Sequence, residues 1–136
     1  MDLLNIGDSH KVSFSFTQEQ VVQFAELTGD KNPLHLDAEY AATTRFKRCI
    51  IHGHLGSSIF TRVLGMDFPG EGAIYMKQET EYLFPMHVDT EYEATFTVIE
   101  IDRERHIAKI QGEIFIKGTS RKTINGIATL MHKDKI

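Results

Sequence analysis

Residues 53–66 read GHLGSSIFTRVLGM, and this stretch decides the fold. Small residues separate large apolar ones, which recur at helical spacing around most of the girth: Leu55, Ile59, Phe60, Val63 and Leu64. A helix that is apolar on most of its sides is buried inside a protein and does not lie on its surface. The pattern therefore predicts a central helix enclosed by the rest of the chain.

The chain on both sides of this helix contains stretches that alternate between apolar and polar residues, as β-strands do. These stretches, together with residues 73–84, predict one strand before the helix and four after it, at residues 10–16, 73–84, 92–98, 110–116 and 124–130. The apolar set shifts to Ile99 and Ile101 after the third of them, which indicates a bulge or a strand end. Short polar connections between consecutive strands favour an antiparallel sheet. We therefore predict one α+β domain over residues 1–136, an antiparallel sheet wrapped around the central helix, whose open edges favour pairing with a second copy.

Three shorter helices are predicted between the first strand and the central helix. Thr17 and Gln20 have the spacing of a capping box at the start of a helix over residues 18–28, and Gly29 follows at a natural helix end. Pro33 can open a second helical segment, and residues 37–43 favour a third.

The composition excludes several classes of function. The 136 residues carry a formal charge of −4, which provides no general attraction to nucleic acid or to an anionic membrane. No apolar run approaches the roughly 20 residues of a membrane span, and the first eight residues, with two acids and no base, do not resemble a signal peptide. Cys49 is the only cysteine, so no internal disulfide can form, and a cytoplasmic location is expected.

An acid and an imidazole, Asp30 and His35, flank a corner that Asn32 and Pro33 make in the chain. If that corner aims both side chains at one point, they can take a proton from water and return it to a substrate. A purely structural reading of the same residues is also open. Asp30 would then cap the segment that follows it, and His35 would be a half-buried histidine with its hydrogen bonds satisfied.

Further candidates lie at the start of the central helix and within it. The free backbone N–H of Gly53 is a candidate donor to a developing oxyanion, although Gly53 could equally be small only for packing. The hydroxyl of Thr61 can hold a catalytic group or bond back to the helix. The spacing of the seven histidines and Cys49 matches no metal-ligand motif, so no metal is expected.

The segment Thr28-Gly29-Asp30-x-Asn32-Pro33-Leu34-His35-x-Asp37, followed by Ile51-His52-Gly53 and Gly72-Ala73-Ile74-Tyr75, resembles the MaoC-like (R)-specific enoyl-CoA hydratases. The resemblance is strongest from Val21 to Phe84, and it points to the short bacterial type that supplies polyhydroxyalkanoate monomers. It implies a hot-dog fold with short overhanging helices near the active site, and a homodimer.

The same resemblance implies roles for individual residues. Asp30 and His35 match the catalytic pair, and Gly53 matches the oxyanion donor. The supporting residues are Asn32, which shapes the loop, His52, and Thr61, which stands where relatives often have serine. The implied reaction is the reversible syn addition of water to a trans-2-enoyl-CoA, giving an (R)-3-hydroxyacyl-CoA, with no cofactor.

Three other functions are weighed against this hydro-lyase activity. The chain could dehydrate 3-hydroxyacyl groups carried by acyl carrier protein in fatty acid synthesis. It could be a hot-dog thioesterase, against which the Asp-x-Asn-Pro-x-His segment argues. It could also be a non-catalytic acyl-thioester-binding subunit, against which the intact Asp30 and His35 argue.

Overall fold

The computed structural model describes residues 2–136 and contains one five-stranded antiparallel sheet. The strands stand in the order β1-β3-β4-β5-β2, and their bounds are β1 Ser9–Phe14, β2 Ile74–Tyr82, β3 Tyr92–Asp102, β4 Ile107–Ile116 and β5 Lys122–Met131. The helices are α1 Gln18–Thr28, α2 Pro33–Leu36, α3 Ala38–Ala42, α4 Gly53–Ser57 and α5 Ile59–Met66. No helix among residues 2–136 is both long enough and apolar enough to cross a membrane.

The predicted central helix forms the middle of the core, but it has two parts, α4 and α5. Ser58 separates them, because its N–H and its Oγ both turn back to the carbonyl of Leu55, three residues earlier, and tighten the turn there. On α5, Phe60, Val63 and Leu64 are at most 2% exposed and belong to the core cluster that includes the inner face of the sheet. The prediction of an antiparallel sheet around a central helix over residues 53–66 is confirmed, and the structure adds one tightened turn at Ser58 within that helix.

Strands β3, β4 and β5 show the alternation that the sequence predicted, whereas β2 does not. On β3, the side chains from Tyr92 to Val98 are alternately buried and half-buried. The register with β4 then shifts between Val98 and Glu100, so the predicted irregularity near Ile99 is a β-bulge inside the strand. A second bulge, between Tyr75 and Lys77 of β2, was not predicted.

The short helices form as their end residues predict. Thr17 and Gln20 make the reciprocal hydrogen bonds of a capping box at α1, and Gly29 ends that helix in the left-handed conformation, at φ +84°. Pro33 occupies the first position of α2. Asp37 accepts hydrogen bonds from the first backbone N–H groups of α3, so that helix begins one residue later than predicted.

Strand β2 lies at one edge of the sheet and is exposed along nearly its whole length. Large apolar side chains on this strand and just after it face solvent, among them Ile74 at 58% exposure, Met76 at 51% and Phe84 at 47%. An edge strand with such side chains offers a surface for pairing with another chain.

Candidate active site

Asp30 lies in the loop that joins α1 to α2. Its backbone N–H donates to the Thr28 hydroxyl, and its Oδ1 accepts from the backbone N–H of Asn32 at 3.3 Å. Asn32, not Asp30, caps α2, because its Oδ1 accepts from Leu34 N–H. The Asp30 side chain is exposed, and the loop holds its backbone in place from both sides.

His35 projects from α2 and is only 8% exposed. Its Nδ1 lies 2.8 Å from the carbonyl oxygen of Ile50. Since a carbonyl only accepts, Nδ1 must carry the proton, and Nε2 of the neutral ring keeps the lone pair. The fold thus prepares the Nε2 atom of His35 to act as a base.

His52 lies directly before α4 and packs against His35. The rings of His35 and His52 stack with their centroids 3.9 Å apart. The ring of Phe24, from α1, also packs against His52, with centroids 4.9 Å apart. His52 Nε2 lies 2.9 Å from the Asp30 carbonyl oxygen and donates to it. His52 therefore ties the Asp30 backbone to the ring that stacks on His35. Sequence analysis assigned His52 only a supporting role, because a contact between residues 22 positions apart in the chain is not visible before the fold is known.

The structure brings Asp30, His35 and His52 together, with ligand atoms within 4.8 Å of one another. Such a group can hold a metal ion, which the spacing in sequence did not indicate. Two of the ring nitrogens already donate to carbonyls, however, and Nδ1 of His52 is buried without a partner. A water molecule that bridges Asp30 and His35 fits the same arrangement as a metal does.

Gly53 begins α4, and among residues 2–136 no backbone or side-chain group accepts a hydrogen bond from its N–H. Tyr82 of β2 packs across it: a Cβ at position 53 would lie 2.9 Å from a carbon of that ring. Tyr82 also bonds to the Ser57 hydroxyl one turn further along, at 3.0 Å. Sequence analysis missed Tyr82, because its contact with the helix depends on the register of β2.

A pocket of about 280 Å³ opens beside Gly53 and His52. It is lined by apolar and aromatic side chains from the segments before α4 and after β2, chiefly Phe46, Ile51, Leu83, Phe84 and Met86. Two guanidinium groups stack on rings of this wall, Arg45 on Phe46 at 4.8 Å and Arg121 on Phe84 at 4.5 Å. An apolar pocket with two guanidinium groups beside it suits a ligand that has both an apolar portion and a phosphate group.

A second cavity, of about 270 Å³, lies further along the central helix. Ser57, Phe60 and Thr61 form its helix side, and Tyr75 and Gln78 form its strand side. The bulge in β2 turns Tyr75 to the same side as Gln78, to which its hydroxyl bonds, and partial burial raises the pKa of Tyr75. Thr61 lies two turns beyond Gly53 and lines this cavity; its predicted support of the catalytic pair stays a prediction.

Two side chains next to Ile50 in the structure, Cys49 and His87, have shifted pKa values. Burial, helped by the charge of Asp37, raises the pKa of the Cys49 thiol, so this cysteine is a poor nucleophile. Burial also lowers the pKa of His87, whose ring bonds to the carbonyl of Cys49. Both side chains therefore stay uncharged near neutral pH.

Known proteins resemble this chain over most of its length. The MaoC-like domain family matches residues 7–118. An (R)-specific enoyl-CoA hydratase from Aeromonas caviae is 39% identical over 115 residues, which are 85% of this chain and 86% of that protein. The mitochondrial 3-hydroxyacyl-[acyl-carrier-protein] dehydratase FERN of Solanum lycopersicum is 35% identical, over 96% of this chain and 78% of that protein.

The fold agrees with this relationship. The solved structure of an (R)-hydratase from A. caviae involved in PHA biosynthesis superposes with a TM-score of 0.90, at 36% identity, and covers 95% of this chain and 97% of that one. With a family match over residues 7–118 and relatives above 30% identity, the chain belongs to the MaoC-like domain family.

Proposed function

We propose that this protein is an (R)-specific enoyl-CoA hydratase, a hydro-lyase that adds water reversibly to a trans-2-enoyl-CoA to give an (R)-3-hydroxyacyl-CoA. The observation that carries the proposal is the fixed tautomer of His35, which leaves a basic Nε2 in the same cluster as the Asp30 carboxylate. The hydratases named among its relatives support the same reaction.

The thioester carbonyl accepts a hydrogen bond from Gly53 N–H, and the Asp30–His35 pair holds one water molecule over C3. As the water oxygen bonds to C3, the π electrons of the C2=C3 bond move toward the carbonyl, and the water gives a proton to the pair. The pair returns a proton to C2 on the same face, which makes the addition syn. The enolate oxygen is stabilised by the Gly53 N–H, and one such donor typically contributes about 10²–10³-fold in rate.

The chemistry assigned to this site uses proton transfer and hydrogen bonding alone, so we propose no metal or redox cofactor. His35 has one free lone pair, and the proposed mechanism needs it for the water proton. A metal ion held on the same atom would compete with that role.

We propose coenzyme A as the acyl carrier. Arg45 and Arg121 beside the first pocket favour a thioester whose carrier ends in phosphates, as coenzyme A does. Dehydration of 3-hydroxyacyl groups on acyl carrier protein is the second candidate, because two plant mitochondrial relatives are named for it. Rates on the same acyl group attached to the two carriers distinguish the candidates.

The working form is proposed to be a cytoplasmic homodimer. Strand β2 leaves one edge of the sheet unpaired, with apolar side chains beside it, and a second copy can cover both. The reaction would supply (R)-3-hydroxyacyl-CoA for polyhydroxyalkanoate synthesis or serve as a step in fatty acid metabolism.

The test follows the enoyl-thioester absorbance of crotonyl-CoA, coupled to an (R)-specific 3-hydroxyacyl-CoA dehydrogenase. We expect rapid loss with R product, and a decrease of about 10²–10⁴-fold in kcat for Asp30→Asn and His35→Ala, since general acid–base catalysis contributes that much. Glu26→Gln is the matched control, because Glu26 is an exposed acid on α1 outside the site. Parental rates in Asp30→Asn and His35→Ala would contradict the proposal. Binding of acyl-CoA without turnover of any chain length or carrier would favour a binding subunit, and release of free thiol a thioesterase.

A further inference from the structure

Two glycines face each other in the middle of the sheet and leave a notch beneath the central helix. Gly112 of β4 pairs with Gly126 of β5, and both are buried on the side that faces α5. A Cβ at position 126 would lie 2.9 Å from Cζ of Phe60, and one at position 112 would clash with the same ring. The notch thus exists because neither strand has a side chain there.

The notch is filled by the ring of Phe60. This ring is 2% exposed and meets Phe96 edge-to-face, with centroids 5.1 Å apart. A Cβ on Gly112 would also come within 2.8 Å of Phe96, so the ring of Phe96 blocks retreat on that side. A methyl group added in the notch must therefore lift Phe60 out of the sheet.

Phe60 is also a wall of the second cavity. That cavity has a volume of about 270 Å³. Because the ring of Phe60 forms part of the cavity wall, the depth at which this ring sits in the sheet determines how much of the cavity stays open.

The cavity continues the line along which a substrate would lie. Gly53, Ser57 and Thr61 follow one another every four residues on one face of the central helix, so Ser57 lies about 6 Å and Thr61 about 12 Å beyond Gly53. Tyr82 stands between the two spaces, since it lines the first pocket, packs across Gly53 and bonds to Ser57 of the second, so an acyl chain reaches the second cavity past the edge of this ring. A thioester held at Gly53 can extend its acyl chain along this face.

We propose that the Gly112–Gly126 notch sets the acyl chain length: by seating Phe60 in the sheet, it keeps the second cavity open for enoyl chains of more than four carbons. This inference rests on the proposed hydratase activity.

The test compares kcat/KM for trans-2-octenoyl-CoA with kcat/KM for crotonyl-CoA in the same protein. Gly112→Ala should lower this ratio about tenfold or more, because the displaced ring occupies space that only the longer chain needs. Phe60→Leu should raise the ratio, and the double variant Gly112→Ala/Phe60→Leu should return it toward the parental value. Gly65→Ala is the matched control, since a Cβ on that glycine of α5 meets nothing within 4 Å.

The outcomes separate this proposal from the proposed function. A parent protein that hydrates no enoyl-CoA refutes the function. A parent protein that hydrates crotonyl-CoA, while folded Phe60→Leu keeps the octenoyl-to-crotonyl ratio within about twofold of the parental one, overturns the notch proposal. Equal losses on both substrates in folded Gly112→Ala would also overturn it, because they would show a structural role alone. If Gly112→Ala does not fold, the ratio in Phe60→Leu decides.

Discussion

His35 and His52 do different work although their rings are stacked. Each donates one ring N–H to a backbone carbonyl, His35 to Ile50 and His52 to Asp30. For His35 this bond fixes the tautomer and leaves Nε2 basic. For His52 the same kind of bond holds the main chain that carries the catalytic acid. His52 is thus a positioning residue, whose effect on the reaction passes through Asp30.

The change His52→Phe tests this distinction. Phenylalanine keeps a ring for stacking on His35 and Phe24, but it leaves the Asp30 carbonyl without its donor. We expect kcat on crotonyl-CoA to fall about tenfold to a hundredfold with little change in KM, since small misplacement of a catalytic group has effects of this size. Steady-state kinetics measure both constants, and His10→Phe, at a ring that stacks on Phe68, is the control. An unchanged kcat in folded His52→Phe would assign the contact to stability alone.

At this scale the sequence predicted Asp30, His35 and Gly53 because each owes its position to its immediate neighbours. The Asn-Pro corner and the start of a helix are local features that a motif can carry. Tyr82 and the Asp30–His52 bond were not predictable, because they join segments 22 to 29 residues apart. No residue type at those positions indicates such a contact before the fold is known.

The helices α1 and α2 place the site through their ends. Gly29 terminates α1 just before Asp30, and Asn32 caps α2 just before His35. The end of α1 was predictable from Gly29 and the start of α2 from Pro33, but the cap of α2 is Asn32 and not Asp30, the residue that the structural reading of the sequence offered. An irregularity in β3 was predictable from the shift of its apolar residues. The break of the central helix at Ser58 was not predicted, since serine is compatible with an uninterrupted helix, and the bulge in β2 leaves no mark in an exposed strand.

Removal of the α2 cap should therefore affect both stability and catalysis. Asn32→Ala leaves the N–H of Leu34 without its acceptor, and the free energy of unfolding should fall by about 1 kcal/mol. A four-residue helix without its cap holds His35 less firmly, so we expect a decrease in kcat of about tenfold. Asn32→Asp should keep most of both, because aspartate caps helices equally well. Urea titrations and crotonyl-CoA kinetics measure the two effects, and equal losses in both variants would exclude capping as the cause.

At the scale of the molecule, the core is closed, but the sheet edge at β2 is unpaired. The core formed by the inner face of the sheet and α5 is closed, whereas β2 leaves an unpaired edge next to both cavities, since Tyr75 and Tyr82 each line one of them. The fold class was predictable, because apolar periodicity determines which faces are buried. The placement of both cavities along β2 was not, since it depends on strand order, which alternation does not encode.

Pairing of two copies through β2 predicts a dimer that can be broken at this edge. Ile74→Glu combined with Met76→Glu puts two charges on side chains that are 58% and 51% exposed in the single chain. These changes should cost little in the monomer, but burial of unpaired carboxylates in an interface is strongly unfavourable. Light scattering after size exclusion should give about twice the chain mass of 15.5 kDa for the parent and the mass of one chain for the variant. Ser9→Glu, at an exposed position of the opposite edge strand β1, is the control. A parent that stays monomeric at micromolar concentration would refute the dimer, whereas a dimeric double variant would place the interface elsewhere.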